Sequence, residues 1–275
     1  MTDSKKFISP GAWFAMSYPA GWCEAEDGEG SFLFYNPEVW DGNFRISAYK
    51  EDPERKGAGN FGNEGVQQEL KENREARPVM VGKRKCAYSV ESFEEDGQLF
   101  DSHLWMVGIE NMLFECTFTV LKGEPADMAE RVIETIELRR DGVKYPAEII
   151  PVRLSEIYLI DESYEWTAQL VKQQLSLDFQ GVEADLEKIQ KVVDAGVIGR
   201  KKREEWLALG VAVCVIMANE IEGLQWMTLV DGNREAPVLV YHDGTVVDPM
   251  KLIWSKIKAG EPCRVMEAYD NALNG

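Results

Sequence analysis

Residues 99–120, LFDSHLWMVGIENMLFECTFTV, decide the fold of the first half of this chain. Apolar and aromatic side chains recur at every second position on both sides of Glu110-Asn111, so one face of each arm is apolar. That period is the mark of two half-buried strands, and the Glu-Asn pair between them is a tight-turn dipeptide. Outward from this hairpin the pattern repeats. Ala87 to Phe93 precedes it across Asp96-Gly97, and Trp13 to Tyr18, Ser31 to Tyr35 and Phe44 to Tyr49 are further period-two segments. Short turns such as Asp27-Gly28 join them, which predicts sequential antiparallel hairpins rather than parallel crossovers.

Two helices interrupt the strands. Glu64 to Ala76 is polar on most faces and stops before Pro78, so a surface helix is expected. A second begins near Pro125 and carries Met128, Val132, Ile133 and Ile136 as a stripe that would pack on the sheet. Asp141-Gly142, Pro146 and Pro151 then break the pattern, which puts a domain boundary near Tyr145, with domains at 1–145 and 146–275. Beyond it the period becomes helical. Ser163 to Phe179 and Val182 to Ala195 are amphipathic, and Trp206 to Ala218 is apolar all round, which fits a buried helix or a buried strand. Gln225 to Val230 and Pro237 to His242 alternate as strands, Asp243-Gly244 turns into Thr245-Val246-Val247, and Asp248-Pro249 caps a helix through Lys258. The expected class is α+β: an antiparallel sheet flanked by helices, then a helical domain with a small antiparallel sheet.

The chain has 275 residues and a formal charge of −18, with acids in excess in both halves. Nucleic acid and anionic membrane surfaces are bound through surplus Lys and Arg, so neither is an expected partner, whereas a basic protein meets no repulsion. The opening residues lack the apolar run of a secretory signal, and Trp206 to Ala218 is shorter than the ~20 residues that span a bilayer, so the expected location is cytoplasmic. Five scattered cysteines without a Cys-x-x-Cys pair read as small buried hydrophobes, and no metal or other cofactor is expected. Oligomeric state has no signature.

Familiar catalytic equipment is sparse. His103 and His242 are the two histidines. Asp101-Ser102-His103 has the letters of a hydrolase triad, but on a strand Ser102 faces away from the other two. Gly57-Ala58-Gly59-Asn60-Phe61-Gly62 spells a dinucleotide fingerprint without the strand that must run into it. Glu94-Glu95-Asp96 reads as a solvated loop, since it lacks the spaced ligands of a calcium loop. Arg200-Lys201-Lys202-Arg203 stands at a helix start and is a candidate anion site, weighed against a solvated charge run offset by Glu204 and Glu205. Of the tryptophans, Trp13, Trp22, Trp166, Trp206, Trp226 and Trp254 read mostly as core. Trp40 lies in the loop Asn36-Pro37-Glu38-Val39-Trp40-Asp41-Gly42, where an exposed aromatic could anchor a partner, weighed against packing under the loop.

Residues 7–140 resemble the PsbP-like (Ran-binding Mog-like) fold, on Tyr18-Pro19-Ala20-Gly21-Trp22, Phe32-Leu33-Phe34-Tyr35, the helix after Tyr49, three consecutive strands and the closing helix with Ile133 and Ile136. The resemblance implies a twisted antiparallel sheet and a non-enzymatic binding or assembly module. Residues 146–275 resemble an uncharacterised bacterial domain, on Leu207-Ala208-Leu209-Gly210, Leu224-Gln225-Trp226 and the Pro249 helix; no site residues come with it. The functional expectation is a protein-binding module, such as an immunity or assembly factor for a basic partner. The alternative is an enzyme or small-ligand sensor with a site between the two domains.

Overall fold

A computed structural model describes residues 3–25, 28, 30–52, 60–140 and 142–273. The chain divides into two compact units, Met1–Val143 and Lys144–Gly275. In the first, the described elements are β1 (Ser4–Ile8), β2 (Phe14–Pro19), β3 (Cys23–Ala25), β4 (Ser31–Tyr35), β5 (Asn43–Lys50), α1 (Phe61–Glu72), β6 (Arg77–Val81), β7 (Arg84–Glu95), β8 (Gln98–Ile109), β9 (Met112–Leu121), α2 (Asp127–Glu134) and β10 (Glu137–Leu138). An antiparallel sheet runs β3-β4-β5-β9-β8-β7-β6, and a small one runs β1-β2-β10.

Register fixes which side chains share a face. Phe44 lies opposite Phe118 and Ile46 opposite Cys116, while Trp105 faces Cys116 and Val107 faces Phe114 from the other side of β9. All of these are buried, and Phe7, Phe14 and Met16 of the small sheet close over them. Trp22 stacks on Phe44 and Phe118, with ring centroids at 6.3 and 6.0 Å. Helix α2 buries Ala129, Val132 and Ile133 against this core. Arg84 caps its end, donating from Nη1 to Ile133 O at 2.8 Å and from Nη2 to Ile136 O, which satisfies carbonyls the helix leaves unpaired.

The opposite face of β7, β8 and β9 is covered by α1. This helix is less superficial than its composition predicts: Val66 packs with Ala87 and Leu113. Gly62 presses so closely on the sheet that a Cβ there would lie 2.2 Å from Met112 O. The expected end at Ala76 is also revised. The helix stops at Glu72, and Pro78 sits in β6 at the sheet edge, where its missing N–H costs no ladder bond. Glu94 and Glu95 are not loop but the last residues of β7.

The second unit opens with a strand the periodicity did not reveal, β11 (Glu148–Pro151). It is followed by α3 (Leu154–Leu175), α4 (Leu186–Asp194), α5 (Arg203–Glu220), β12 (Gln225–Asp231), β13 (Arg234–Val240), β14 (Val246–Val247), α6 (Pro249–Leu252), α7 (Trp254–Ala259) and α8 (Val265–Asn271). The sheet order β11-β12-β13-β14 is antiparallel throughout. The apolar run of α5 is a buried helix, with Leu209, Val213 and Met217 fully enclosed. Gly210 admits the backbone of α6, since a Cβ would lie 2.2 Å from Pro249 O. Helix α3 starts two turns earlier than its apolar face predicts, because its first turn buries charge. Arg153 pairs with Glu156 and Glu235, both at 2.7 Å, and is 2% exposed. Asp185 ties the loop before α4 by accepting from Gln180 N, Gly181 N and Val182 N. No helix among the described residues is long and apolar enough to cross a membrane.

Candidate functional site

Trp40 stands at the mouth of a cleft in the first unit, between the loop 36–42, the end of β9 and the start of α2. The cleft holds about 330 Å³; Phe118, Val120, Leu121, Pro125 and Met128 give it apolar walls, and Asp41, Glu124 and Asp127 line it as acids. None of its described lining residues is Lys or Arg. Asp127 is held by Arg131 at 2.8 Å, an exposed pair one helical turn apart.

The loop that carries Trp40 is pinned at three points. Asn36 Oδ1 accepts from Glu38 N at 3.0 Å, which makes its first turn. Buried Trp22 donates from Nε1 to both oxygens of Asp41, at 3.1 and 3.2 Å. Gly42, at φ 102°, lies against the sheet where a Cβ would come within 2.6 Å of Phe118. Trp40 is therefore presented, 49% exposed, by a fixed backbone. Its ring meets Phe100 edge-on at 6.5 Å, and Phe100 stacks on Phe93 at 5.5 Å.

Phe93 and Phe100 belong to the end of the β7–β8 hairpin. The chain after β9 stays paired as far as Leu99, whose carbonyl accepts from Lys122 N at 2.9 Å, and among the described residues no strand pairs with the hairpin beyond it on that side. Residues 91–99 are all exposed, including Phe93 and Leu99, among Glu91, Glu94, Glu95 and Asp96. Ser92 Oγ donates to Asp101 Oδ1 at 2.6 Å and stiffens the arm. That bond, with one from Gly123 N, holds the Asp101 carboxyl below the usual carboxylate range. Trp40, Phe100 and Phe93 thus form a short aromatic ladder in a mainly acidic surround, with Lys122 beside Asp101 at its base.

The triad letters do not assemble. His103 and Asp101 share one face of β8 and Ser102 the other, as the register requires. His103 Nδ1 shares a 2.7 Å hydrogen bond with the Tyr88 hydroxyl, and its ring stacks on Trp105. Burial lowers its pKa, against the opposing pull of Asp101. Burial likewise pushes the Cys86 thiol up to about 11, which makes it a poor nucleophile at neutral pH.

The basic quartet is distributed. Arg200 donates to Ile257 O at 3.2 Å and Lys258 O at 3.1 Å, capping α7. Lys202 pairs with Glu205 at 3.1 Å, and Arg203 reaches Met250 Sδ at 3.5 Å; Lys201 is exposed. Arg200 and Arg203 thus reach neighbouring elements, while Lys202 pairs within the first turn of its own helix. Gly57, Ala58 and Gly59 lie outside the described residues, as does Asp27. His242 rings against Tyr241 at 3.8 Å, before the Asp243-Gly244 turn. Two expectations of burial are corrected: Trp13 is 41% exposed, and Cys23 is exposed while the other four cysteines are buried. Among the described residues no group of three or more His, Cys, Asp or Glu is placed to hold a metal ion.

The cleft escaped sequence reading because its walls come from segments about eighty residues apart; Trp40 alone gave a local signal. The exposed hairpin tip had one too. The segments 87–93 and 99–107 alternate beyond the reach of their neighbour, a mismatch in strand length that marks an unsupported arm.

Comparison with known proteins assigns the family. A crystal structure of a protein from Bacteroides thetaiotaomicron VPI-5482 is 59% identical, with a TM-score of 0.93 over 100% of this chain and 99% of that one. The solution structure of cyanobacterial PsbP (CyanoP) from Synechocystis sp. PCC 6803 matches at 11% identity and a TM-score of 0.28, covering 50% of this chain and 94% of that one. The crystal structure of LpqN, involved in cell envelope biogenesis of Mycobacterium tuberculosis, matches at 12% identity and a TM-score of 0.33, covering 50% and 91%. At these two scores nothing of either protein's role passes to this chain. No curated protein matches. Residues 185–269 match a Domain of unknown function (DUF3806), in accord with the uncharacterised domain expected for the second half. Residues 2–161 match the Domain of unknown function (DUF3805), and the chain belongs to that family.

Proposed function

We propose that this chain is a non-enzymatic protein-binding module that takes an apolar side chain of a basic partner into the Trp40 cleft. The observation that carries the reading is Trp40 itself, half exposed on a pinned loop, beside apolar walls and acids with no cation among the described lining residues. Rigid aromatics at the centre of a surface, ringed by polar groups, supply most of the energy of protein interfaces. Roughly half of an indole of about 250 Å² is left to bury, which at ~25 cal/mol per Å² is about 3 kcal/mol, or roughly a hundredfold in affinity. The Phe100 and Phe93 rings extend the same surface, and Glu91, Glu94, Glu95 and Asp96 on the arm would steer a cationic partner towards it.

The test is binding of short peptides in which one Leu or Phe is flanked by lysines, read by fluorescence anisotropy against the native protein and Trp40→Ala. The reading expects saturable binding that weakens with salt and falls roughly a hundredfold in the variant. Equal binding by both proteins, or tighter binding of peptides flanked by glutamates, would overturn it.

A further inference from the structure

We infer that a second cavity of the first unit, walled by Trp13 and distinct from the Trp40 cleft, binds a small anion that carries a flat ring. The cavity holds about 460 Å³, within the roughly 300–1,000 Å³ of small-molecule sites. Its lining includes Lys50, Arg139 and Arg140 against Glu51 and Glu110. In a chain of net charge −18 this is a local reversal of sign, three cations to two carboxylates among the described lining residues.

The indole is mounted for contact rather than for packing. Period-two alternation would place Trp13 in the strand that follows, yet the chain turns left-handed just before it, at Gly11 (φ 73°) and at Ala12 (φ 51°). A non-glycine residue in that region costs about 1–3 kcal/mol and persists only where its surroundings enforce it. Here Ser9 enforces it: its Oγ accepts from Trp13 N at 3.0 Å and Phe14 N at 3.2 Å, and its carbonyl from Ala12 N at 2.8 Å. Arg139 N donates to Trp13 O at 2.9 Å and fixes the other side. Glu110, at the opposite wall, is a second non-glycine residue at positive φ (51°). The strained backbone of Glu110 thus lies at the cavity, and that of Ala12 sets the chain direction into Trp13.

The charges are arranged around the ring. Lys50 Nζ lies 5.7 Å from the Trp13 centroid, and Arg140 reaches Glu110 Oε1 at 3.2 Å with both side chains largely exposed. A flat ring can displace the Lys50 ammonium from over the indole while its anionic group meets that ammonium and the arginines, the combination that recognises an aryl carboxylate, sulfonate or phosphate ester. Glu110 competes with such an anion for Arg140, so the acid acts as a brake on binding.

The experiment is titration calorimetry of the full chain with naphthalene-1-sulfonate, alongside inorganic phosphate and the uncharged 1-naphthalenemethanol. The sulfonate is expected to bind at one site, with phosphate and the alcohol each about tenfold or more weaker, since each lacks half of the recognised chemistry. Trp13→Ala and Lys50→Met should each weaken the sulfonate about tenfold, Glu110→Gln should tighten it several-fold, and Trp40→Ala should leave it unchanged. The gain from Glu110→Gln is the decisive arm, because damage to the fold cannot produce it. Equal binding of the sulfonate and the alcohol, no effect of Glu110→Gln, or loss on Trp40→Ala but not on Trp13→Ala would overturn the inference. Because the two sites share no lining residue, this result and that of the peptide test stand or fall separately.

Discussion

Replacing Gly42 by alanine probes whether the Trp40 loop is held as described. The cost has two parts. At φ 102° the backbone is in a region that L residues avoid, a penalty of about 1–3 kcal/mol. The new Cβ would lie 2.6 Å from Phe118 Cζ and 2.7 Å from Val120 Cγ1, and both neighbours are buried and cannot retreat into solvent. Such overpacking adds about 1–3 kcal/mol. Against this, alanine narrows the unfolded ensemble by about 0.4–1 kcal/mol in favour of folding. The net loss expected is roughly 1–5.5 kcal/mol, read as a fall in the urea midpoint by near-ultraviolet circular dichroism. Gly97, at φ 77° on the hairpin tip with nothing within 4 Å of a Cβ, supplies the control. Gly97→Ala carries only the backbone part, about 1–2 kcal/mol before the unfolded-state gain. If Gly42→Ala costs no more than Gly97→Ala and keeps the native spectrum, the loop is not pinned against the sheet and the argument for a preformed cleft fails.

Arg153→Met leaves Glu156 and Glu235 facing each other without their cation, Glu156 almost fully buried, and should cost about 3–5 kcal/mol in thermal or urea unfolding. Asp185→Asn weakens the three backbone bonds to its carboxylate and the 2.5 Å pair with Lys188, so a loss of about 1–3 kcal/mol is expected. Burial raises the Asp185 pKa, but the Lys188 hydrogen bond and the backbone donors outweigh it and the net direction is down. The Asp185 contribution is therefore present above the ordinary carboxylate pKa and is lost as pH falls through the lower folded value, which an acid titration of the variant against the parent would show. His103 gives the same sign in a higher window. Burial holds its folded pKa below 6.5, so the unfolded chain takes the proton first and stability declines as pH drops below about 6.5. In His103→Gln the slope below about pH 6.5 should flatten, and an unchanged slope would contradict the burial assigned to the ring.

Much of this architecture was legible wherever one face of a segment is buried. The 99–120 hairpin reads correctly because register on a half-buried sheet imposes strict alternation, and α5 reads as enclosed because it has no polar face. What escaped follows other rules. Pro78 reads as a helix stop, yet it sits in an edge strand that tolerates it. Strand β11 offers only Glu148 to Pro151, too short for a period. The first turns of α3 were missed because Arg153 and Glu156 are charged, and pattern reading assigns charge to the surface; only the fold brings Glu235 to neutralise the arginine. Trp13 escaped for the opposite reason, since a left-handed Ala12 has no sequence mark. At the site, Trp40 was singled out from its loop, but its walls at Phe118 and Met128 are tertiary.

Capture from a lysate of the source organism on immobilised native protein and, in parallel, on Trp40→Ala, with elution along a salt gradient and identification of what is retained, shows whether Trp40 holds a basic partner. A basic protein should be held by the native chain, be released as salt rises, and be missing from the Trp40→Ala column. The same set of proteins on both columns, or a retained partner that is acidic and indifferent to salt, would contradict that role of Trp40.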